Sequence, residues 1–206
     1  PLIESKINEQ INLLKNILKS YGYYFVELET VIENNTNNTV NLTYNFDLGE
    51  IAKINKINFI GKKVYSDGIL RNIIISEEAK FWKFITRNKF LDANRIKADV
   101  SRLENFYKNR GYFDVKIKST SAIITDQNQF ELIFNINSGD KFYFNKIKFD
   151  EVTDIEIENL NHFIDEFENL EGEKYSKKKI RTLIDNINDY ILKNDFVFIN
   201  ASFKEI

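Results

Sequence analysis

The chain has 206 residues, 43% of them hydrophobic, with 29 basic and 31 acidic side chains and a net charge of −2. This is the composition of an ordinary folded protein of one or two domains, and the balanced charge argues against nucleic-acid binding, which usually needs an excess of basic residues. The lack of cysteine excludes disulfide bonds, thiolate nucleophiles and zinc–thiolate sites.

The first predicted element is a helix. Ile3, Ile7, Ile11, Leu14 and Leu18 recur at helical spacing. No methionine or secretory leader precedes them, so we expect the chain to be a piece of a longer protein. No apolar run along the chain has the length of a membrane-spanning helix.

Two segments that follow this start occur again later in the chain. LLKNILKSYGYYFVELET (13–30) aligns with LENFYKNRGYFDVKIKST (103–120), and VNLTYNFDLGEIAKINKINF (40–59) aligns with FELIFNINSGDKFYFNKIKF (130–149). A third copy of the first segment is INDYILKNDFVFINASFK (187–204). Three matches in the same order predict a tandem repeat with a period of about 90 residues.

The aligned copies place glycines at equivalent positions. Gly22 aligns with Gly111, and Gly49 aligns with Gly139, while Asp195 takes the first of these positions in the third copy. Aspartate is one of the few other residues that adopt the left-handed backbone region. We therefore predict that Gly111 ends a helix in a left-handed conformation.

Within one period, the pattern predicts the order β-α-α-β-β. A strand over 51–61 is followed by a helix with Ser66 as its N-cap, and a second helix runs from about Asp92 to Arg110. Alternating apolar residues then predict two strands, whose inward side chains are Phe113, Val115 and Ile117, then Phe130, Leu132, Phe134 and Ile136.

The fold class is therefore α+β, with tandem units that each have a three-stranded mixed sheet and two helices on one face. We predict that residues 1–50 are the second half of one unit, with a helix and two strands. Residues 51–140 form a complete unit, and residues 141–206 form a unit without its last strand.

The stretch RGYFDVKI (110–117) is similar to the signature strand of an RNA-recognition domain, in which aromatic side chains stack on bases. Phe113 and Asp114 depart from that signature, because they occupy its small and its stacking positions. A helix also precedes this strand, where the RNA-binding fold has another strand. We therefore expect no nucleic-acid partner.

Three segments carry the resemblance to a known family: INKINFIGKKVYSDGIL (54–70), RLENFYKNRGYFDVKIKST (102–120) and FELIFNINSGDKFYFNKIKF (130–149). In period and element order they resemble the POTRA repeat, the polypeptide-transport-associated domain found in tandem before outer-membrane barrels, as in BamA-type outer-membrane protein assembly factors. The insertion at 76–96 is similar to that of the third repeat, so the chain would cover roughly repeats two to four.

This resemblance implies a scaffold on the periplasmic face of the bacterial outer membrane. Its partners would be unfolded outer-membrane protein precursors, accessory assembly lipoproteins and the C-terminal membrane barrel of the same protein. A related two-partner secretion or TamA-like transporter, and a passive spacer, are the alternatives.

No residues suggest an enzyme, a cofactor site or a metal site. The single histidine, His162, has no cysteine partner and no second histidine, so the usual nucleophile–base pairs and histidine-rich metal sites cannot form. The acidic pairs Glu77–Glu78 and Asp165–Glu166 are more typical of solvated positions than of a cation site. We therefore expect the function to depend on surfaces.

The resemblance implies that the second strand of the complete unit lies at an edge of its sheet, where unpaired backbone groups can bind an extended client strand. Lys116 and Lys118 could instead protect this edge, as charged edge residues often do. The predicted client-binding residues are Tyr112, Phe113, Asp114, Val115, Lys116, Ile117, Lys118, Ser119 and Thr120.

A second candidate surface lies in the insertion between the two helices. Phe81, Trp82 and Phe84 occur within four residues there. Such aromatic side chains either anchor the insertion on the core or form a partner-binding patch.

Overall fold

The structure is a computed structural model that describes residues 4–82, 85–148, 160–194 and 201–204. Three of its helices and all five of its strands precede residue 141. In chain order, the elements of this part are α1 (Glu4–Ser20), β1 (Glu27–Asn34), β2 (Val40–Asp47), β3 (Ile54–Lys62), α2 (Asp67–Arg71), α3 (Ala93–Lys108), β4 (Lys116–Ile124) and β5 (Phe130–Asn137). Helices α4 (Leu160–Glu168) and α5 (Lys177–Lys193) follow.

The strands form two sheets. Strands β1 and β2 make an antiparallel hairpin in which Glu27 lies opposite Asp47 and Asn34 opposite Val40. The second sheet is mixed and has three strands in the order β3-β5-β4, so β5 is central. This combination of helices and sheets confirms the predicted α+β class.

Strand β5 supplies much of the core of the second sheet. The side chains predicted to point inward are each no more than 2% exposed, because the strand alternates between its two faces. Phe134 stacks on Phe59 of β3 with the ring centroids 5.5 Å apart. The fully buried side chains of β5 are Phe130, Leu132, Phe134 and Ile136.

The hairpin turns repeat with the sequence. Asn38 and Asn128, which are 90 positions apart, both have a positive φ, of 57° and 53°. Asparagine tolerates this left-handed region better than most residues. The turn chemistry is thus a further repeated feature.

The helix-to-strand corners repeat as well, which confirms the prediction for Gly111. Gly22 and Gly111 have φ values of 97° and 100°. In both corners, the amide of the next residue donates to the helix carbonyl five residues before it, at 3.1 Å. This is the geometry of a Schellman cap, in which a left-handed glycine ends the helix.

Each corner is also bonded to the chain that begins the next predicted repeat. The Gly22 carbonyl accepts a hydrogen bond from the Ala52 amide at 2.9 Å, and the Gly111 carbonyl accepts one from the Phe142 amide at 2.7 Å. The two acceptors and the two donors occupy equivalent positions of the repeat. The corner therefore ends a helix and forms a hydrogen bond with the start of the following predicted repeat.

The contacts divide the chain into two compact units, residues 1–102 with 117–136 and residues 103–116 with 137–206. This division cuts α3 and β4, and it does not decide the repeat boundaries at 50/51 and 140/141, which stay predictions. The core of the second unit includes α4 and α5, with Phe163, Phe167, Leu170, Ile187 and Ile191 buried together.

The predicted unit at 141–206 should begin with a strand, but the described residues at its start, 141–148, form no strand. There, Tyr143 and Lys174 form an isolated antiparallel bridge instead of a strand. The Phe144 amide donates to the Glu173 carbonyl at 2.9 Å, so a short segment near the end of α4 satisfies this backbone locally. Residues 149–159 and 195–200 lie outside the described residues. They include Asp195 and part of the third copy of the first repeated segment.

Gly111 and Gly172 provide a matched test of the corner. Both have positive φ, but a Cβ on Gly111 would lie 3.0 Å from Lys141 Cγ and 3.3 Å from the Phe142 carbonyl, whereas nothing lies within 4 Å at Gly172. We expect Gly172→Ala to lower the free energy of unfolding by about 1–2 kcal/mol through φ alone. Gly111→Ala should lower it by about 1 kcal/mol more, because crowding is added. Urea unfolding measures both, and equal losses would contradict the assigned corner.

Candidate functional site

Strand β4 is an edge strand of the three-stranded sheet, and among the described strands it is hydrogen-bonded to β5 alone. Its side chains are exposed on both faces from Lys118 onward. Ile123 and Ile124, near the end of the strand, are 52% and 50% exposed. In the part of the chain that the structure describes, no other segment pairs with the outer edge of β4, so alternate N–H and C=O groups face outward.

Strand β3, at the other end of the sheet, is covered. The Ile57 amide donates to the Glu78 carboxylate at 3.0 Å, and the Ile57 carbonyl accepts from Arg71 Nη2 at 2.9 Å. The Ile54 amide donates to the Lys89 carbonyl at 2.7 Å. Arg71 of α2 and the insertion between α2 and α3 thus occupy the outer edge of β3 at Ile54 and Ile57, and the two edges of the sheet are not equivalent.

The first predicted edge residues do not belong to the strand, because β4 begins at Lys116 and not at Tyr112. The Tyr112 ring packs against Tyr107 with centroids 5.7 Å apart. Val115 is buried, and Asp114 is exposed ahead of the strand. The predicted edge is therefore too long by four residues at its start.

Phe113 is likewise used within the chain. Its ring lies 5.2 Å from the ring of Tyr175 and 5.9 Å from that of Phe142, measured between centroids and with edge-on geometry. Phe142 is also the residue whose amide binds the Gly111 carbonyl. Phe113 therefore joins consecutive parts of the chain and is not displayed for a client strand.

The remaining predicted edge residues lie in β4 as expected. Lys116, Lys118, Ser119 and Thr120 are exposed, and Ile117 is half-buried. These five positions and the four that follow them to Ile124 make up the candidate binding strand. Whether it binds a client stays a prediction.

Two aromatic side chains of the insertion, Phe81 and Trp82, do not anchor it on the core. Phe81 is 79% exposed and Trp82 is 59% exposed, and the two rings contact each other with centroids 4.5 Å apart. Phe84 lies outside the described residues. Of the two alternatives, exposure favours a patch that binds a partner, which stays a prediction.

The titratable residues give no second site. Within the described ranges, no group of three or more histidine or acidic side chains could hold a metal ion. His162 is on α4, largely exposed, with Nε2 3.4 Å from Glu166 Oε1 one turn away. Glu78 is engaged with the Ile57 amide and with Arg71, whose Nε lies 3.1 Å from it.

A profile of the POTRA family, described as a surface antigen variable number repeat, matches residues 1–49 and 52–139. The chain belongs to the POTRA family. Only Glu50 and Ile51 separate the two matched segments, and the predicted boundary between the first two repeats lies there. The POTRA corner is therefore present twice in the matched region, at Gly22 and at Gly111.

Curated relatives include the outer membrane protein assembly factor BamA of Neisseria meningitidis, which is 26% identical over 162 residues, 76% of this chain and 20% of the relative. A putative outer membrane protein assembly factor of Treponema pallidum is 22% identical over 144 residues, 68% of this chain and 17% of the relative. The chain thus spans about a fifth of the length of these relatives.

Among solved structures, the fold is similar to the crystal structure of Haemophilus influenzae BamA POTRA3-5. The TM-score is 0.53 at 14% identity, over 89% of this chain and 69% of the other. The likeness shows a shared POTRA fold. It does not number the repeats, so the assignment to repeats two to four stays a prediction.

Sequence reasoning did not find the cover on β3. Glu78 and Arg71 reach Ile57 from 21 and 14 positions away, and no periodic pattern marks such a contact. The one signal in the sequence is the acidic pair Glu77–Glu78 within the insertion, for which the sequence predicts solvated positions.

Phe113 and Phe81 provide a direct comparison of a packed and an exposed aromatic residue. We expect Phe113→Ala to lower the free energy of unfolding by about 2 kcal/mol, because two ring contacts and buried area are lost. Phe81→Ala should change it by less than about 0.5 kcal/mol. Urea denaturation followed by circular dichroism measures both. A Phe113→Ala protein as stable as the parent would show that Phe113 is not a structural residue.

Proposed function

We propose that this chain is a periplasmic scaffold of a BamA-like outer-membrane protein assembly machine, and that β4 binds unfolded outer-membrane protein precursors by β-augmentation. The observation that carries the proposal is the difference between the two edges of the sheet. Arg71 and the insertion cover β3 at Ile54 and Ile57, whereas β4 has no hydrogen-bonded neighbour on its outer side among the described residues. The family and the names of the relatives supply the context.

Main-chain pairing suits a scaffold that handles many precursors. An extended client satisfies the outward N–H and C=O groups of β4 whatever its side chains are. Transmembrane β-strands alternate apolar and polar residues, so such clients are good strand formers. Affinity should lie between millimolar and micromolar, about −4 to −8 kcal/mol, which allows the client to be released.

The side chains of β4 provide mild selection. Lys116 and Lys118 are exposed and of one sign, which disfavours pairing of β4 with a second β4, because like charges would then come close. Ile123 and Ile124 offer half-exposed apolar surface for a client side chain. The same lysines therefore blunt self-association and still leave the backbone edge open to a neutral or acidic client strand.

The wider setting is part of the proposal. The chain would precede a C-terminal membrane barrel in the whole protein, on the periplasmic face of the bacterial outer membrane. It would also dock accessory assembly lipoproteins. No helix in the described residues is long and apolar enough to cross a bilayer.

A passive spacer is the main alternative, because repeats joined at short corners can also set a distance. A two-partner secretion or TamA-like module would keep the edge and change the client. The exposed outer edge of β4 favours binding over spacing, since a spacer needs no free edge and an uncovered edge is an aggregation hazard.

Proline substitution in two alternating pairs tests the edge. Lys118→Pro and Thr120→Pro form one pair, and Ser119→Pro and Ser121→Pro form the other. One pair removes N–H groups that bond to β5 and should lower the melting temperature, while the other removes outward N–H groups and should leave it nearly unchanged. We expect the stability-neutral pair to abolish the NMR shifts caused by a synthetic peptide with the alternating pattern of a barrel strand.

The control replaces side chains and keeps the N–H groups. The control variant carries alanine at the same two positions as the stability-neutral proline pair, which are either Lys118 and Thr120 or Ser119 and Ser121. This alanine variant should retain the NMR shifts caused by the peptide. Peptide shifts that persist in the stability-neutral proline variants would refute binding at β4. Loss of binding in the alanine variants would mean that side chains, not the backbone, hold the client.

A further inference from the structure

The insertion between α2 and α3 carries a strongly exposed group of apolar side chains that the proposed function does not use. Ile85 is 97% exposed, Phe81 79% and Trp82 59%. Side chains of this size are seldom displayed together on a soluble surface without a partner. We call Lys80, Phe81, Trp82, Ile85 and Arg87 the loop tip.

Within the segment that contains the loop tip, the charge has one sign. The segment 79–91 contains basic residues and no aspartate or glutamate. Lys80 Nζ lies 5.6 Å from the centroid of the Trp82 ring, and the Arg87 guanidinium lies 4.3 Å from that of Tyr21. The cations are thus held beside exposed rings.

Two nearby carboxylates, those of Glu78 and Asp92, are directed elsewhere. Glu78 accepts from the Ile57 amide and is paired with Arg71. Asp92 accepts from the Arg95 amide at 2.7 Å, at the start of α3. The loop tip therefore presents positive charge that these two groups do not neutralise.

We propose that the loop tip binds the surface of a phospholipid bilayer that carries anionic headgroups. Aromatic side chains such as tryptophan sit at the boundary between headgroups and acyl chains, and neighbouring lysine and arginine side chains bind the headgroup phosphates. The binding would be peripheral, with the apolar side chains inserted only to the headgroup boundary.

A bilayer fits these observations better than an acidic protein does. Protein hot spots place aromatic anchors in fitted pockets and surround them with a rim. Here the most exposed residue, Ile85, lies between the aromatic pair and Arg87 in the chain, and it offers an apolar side chain without a polar group to direct recognition. A lipid surface requires apolar insertion and positive charge, and it requires no shape complementarity.

Trp82 makes the proposal directly measurable, because it is the single tryptophan of the chain. Titration with vesicles of phosphatidylglycerol should shift its emission to shorter wavelength and protect it from acrylamide quenching. Vesicles of phosphatidylcholine should give a much smaller change. Added salt should weaken the effect, since charges at a surface are screened.

Variants assign the binding to the loop tip. Lys80→Gln should weaken the apparent vesicle affinity about fivefold, the effect of one basic residue at an anionic surface. The double variant Phe81→Ser, Ile85→Ser should weaken it at least about tenfold, because inserted apolar area is lost. Both residues are so exposed that folding is not at issue, and Trp82 stays as the reporter.

Lys178→Gln is the matched control, because Lys178 is an exposed lysine in the basic run at the start of α5. It should leave vesicle binding unchanged, and the proline variants of β4 should also retain it, so this proposal and client binding can fail independently. No emission shift with phosphatidylglycerol, an equal shift with phosphatidylcholine, or an equal loss in Lys178→Gln would overturn it. An emission shift with polyglutamate but not with vesicles would assign the loop tip to an acidic protein instead.

Discussion

The carbonyl groups of two left-handed glycines hold the repeated part of this chain together. Gly22 and Gly111 each end a helix, and the carbonyl of each accepts a hydrogen bond from a residue near the start of the next predicted repeat, Ala52 or Phe142. A residue with a Cβ would meet neighbouring atoms at under 3.4 Å at either position. The same corner therefore ends a helix, directs the chain into the following strand and forms a hydrogen bond with the start of the next predicted repeat.

This corner decides which residues remain for binding. Because Phe113 contacts Phe142 and Tyr175, the start of the extended segment is committed to the chain's own packing. The outward backbone of β4 becomes available only from Lys116. On the other side of β5, Glu78 of the insertion and Arg71 of α2 cover the outer edge of β3 at Ile57. A small sheet is thus left with a single preferred edge, which is the physical basis for proposing β-augmentation there.

Periodicity in the sequence is sufficient to predict α3, the alternation in β5 and the left-handed Gly111, because each follows from local residue patterns. Periodicity does not predict features that depend on contacts between residues far apart in the sequence. The alternation of Phe113, Val115 and Ile117 is the same whether Phe113 lies in a strand or packs against Tyr175, so this pattern predicts a start of β4 that is four residues too early. The cover on β3 depends on Glu78, 21 positions from its partner. Phe81 and Trp82 are exposed because the described part of the fold brings no large apolar surface against them, and the composition of the insertion does not predict this.

The central claim is that β4 has a free outer edge, and amide hydrogen exchange along residues 117–123 tests it most directly. A strand bonded on one side only protects every second amide. We predict slow exchange at alternate positions and fast exchange at those between them, with the fast set becoming protected when a barrel-strand peptide is added. Uniform protection of all these amides in the chain alone would contradict the account, because it would mean that the edge is already covered.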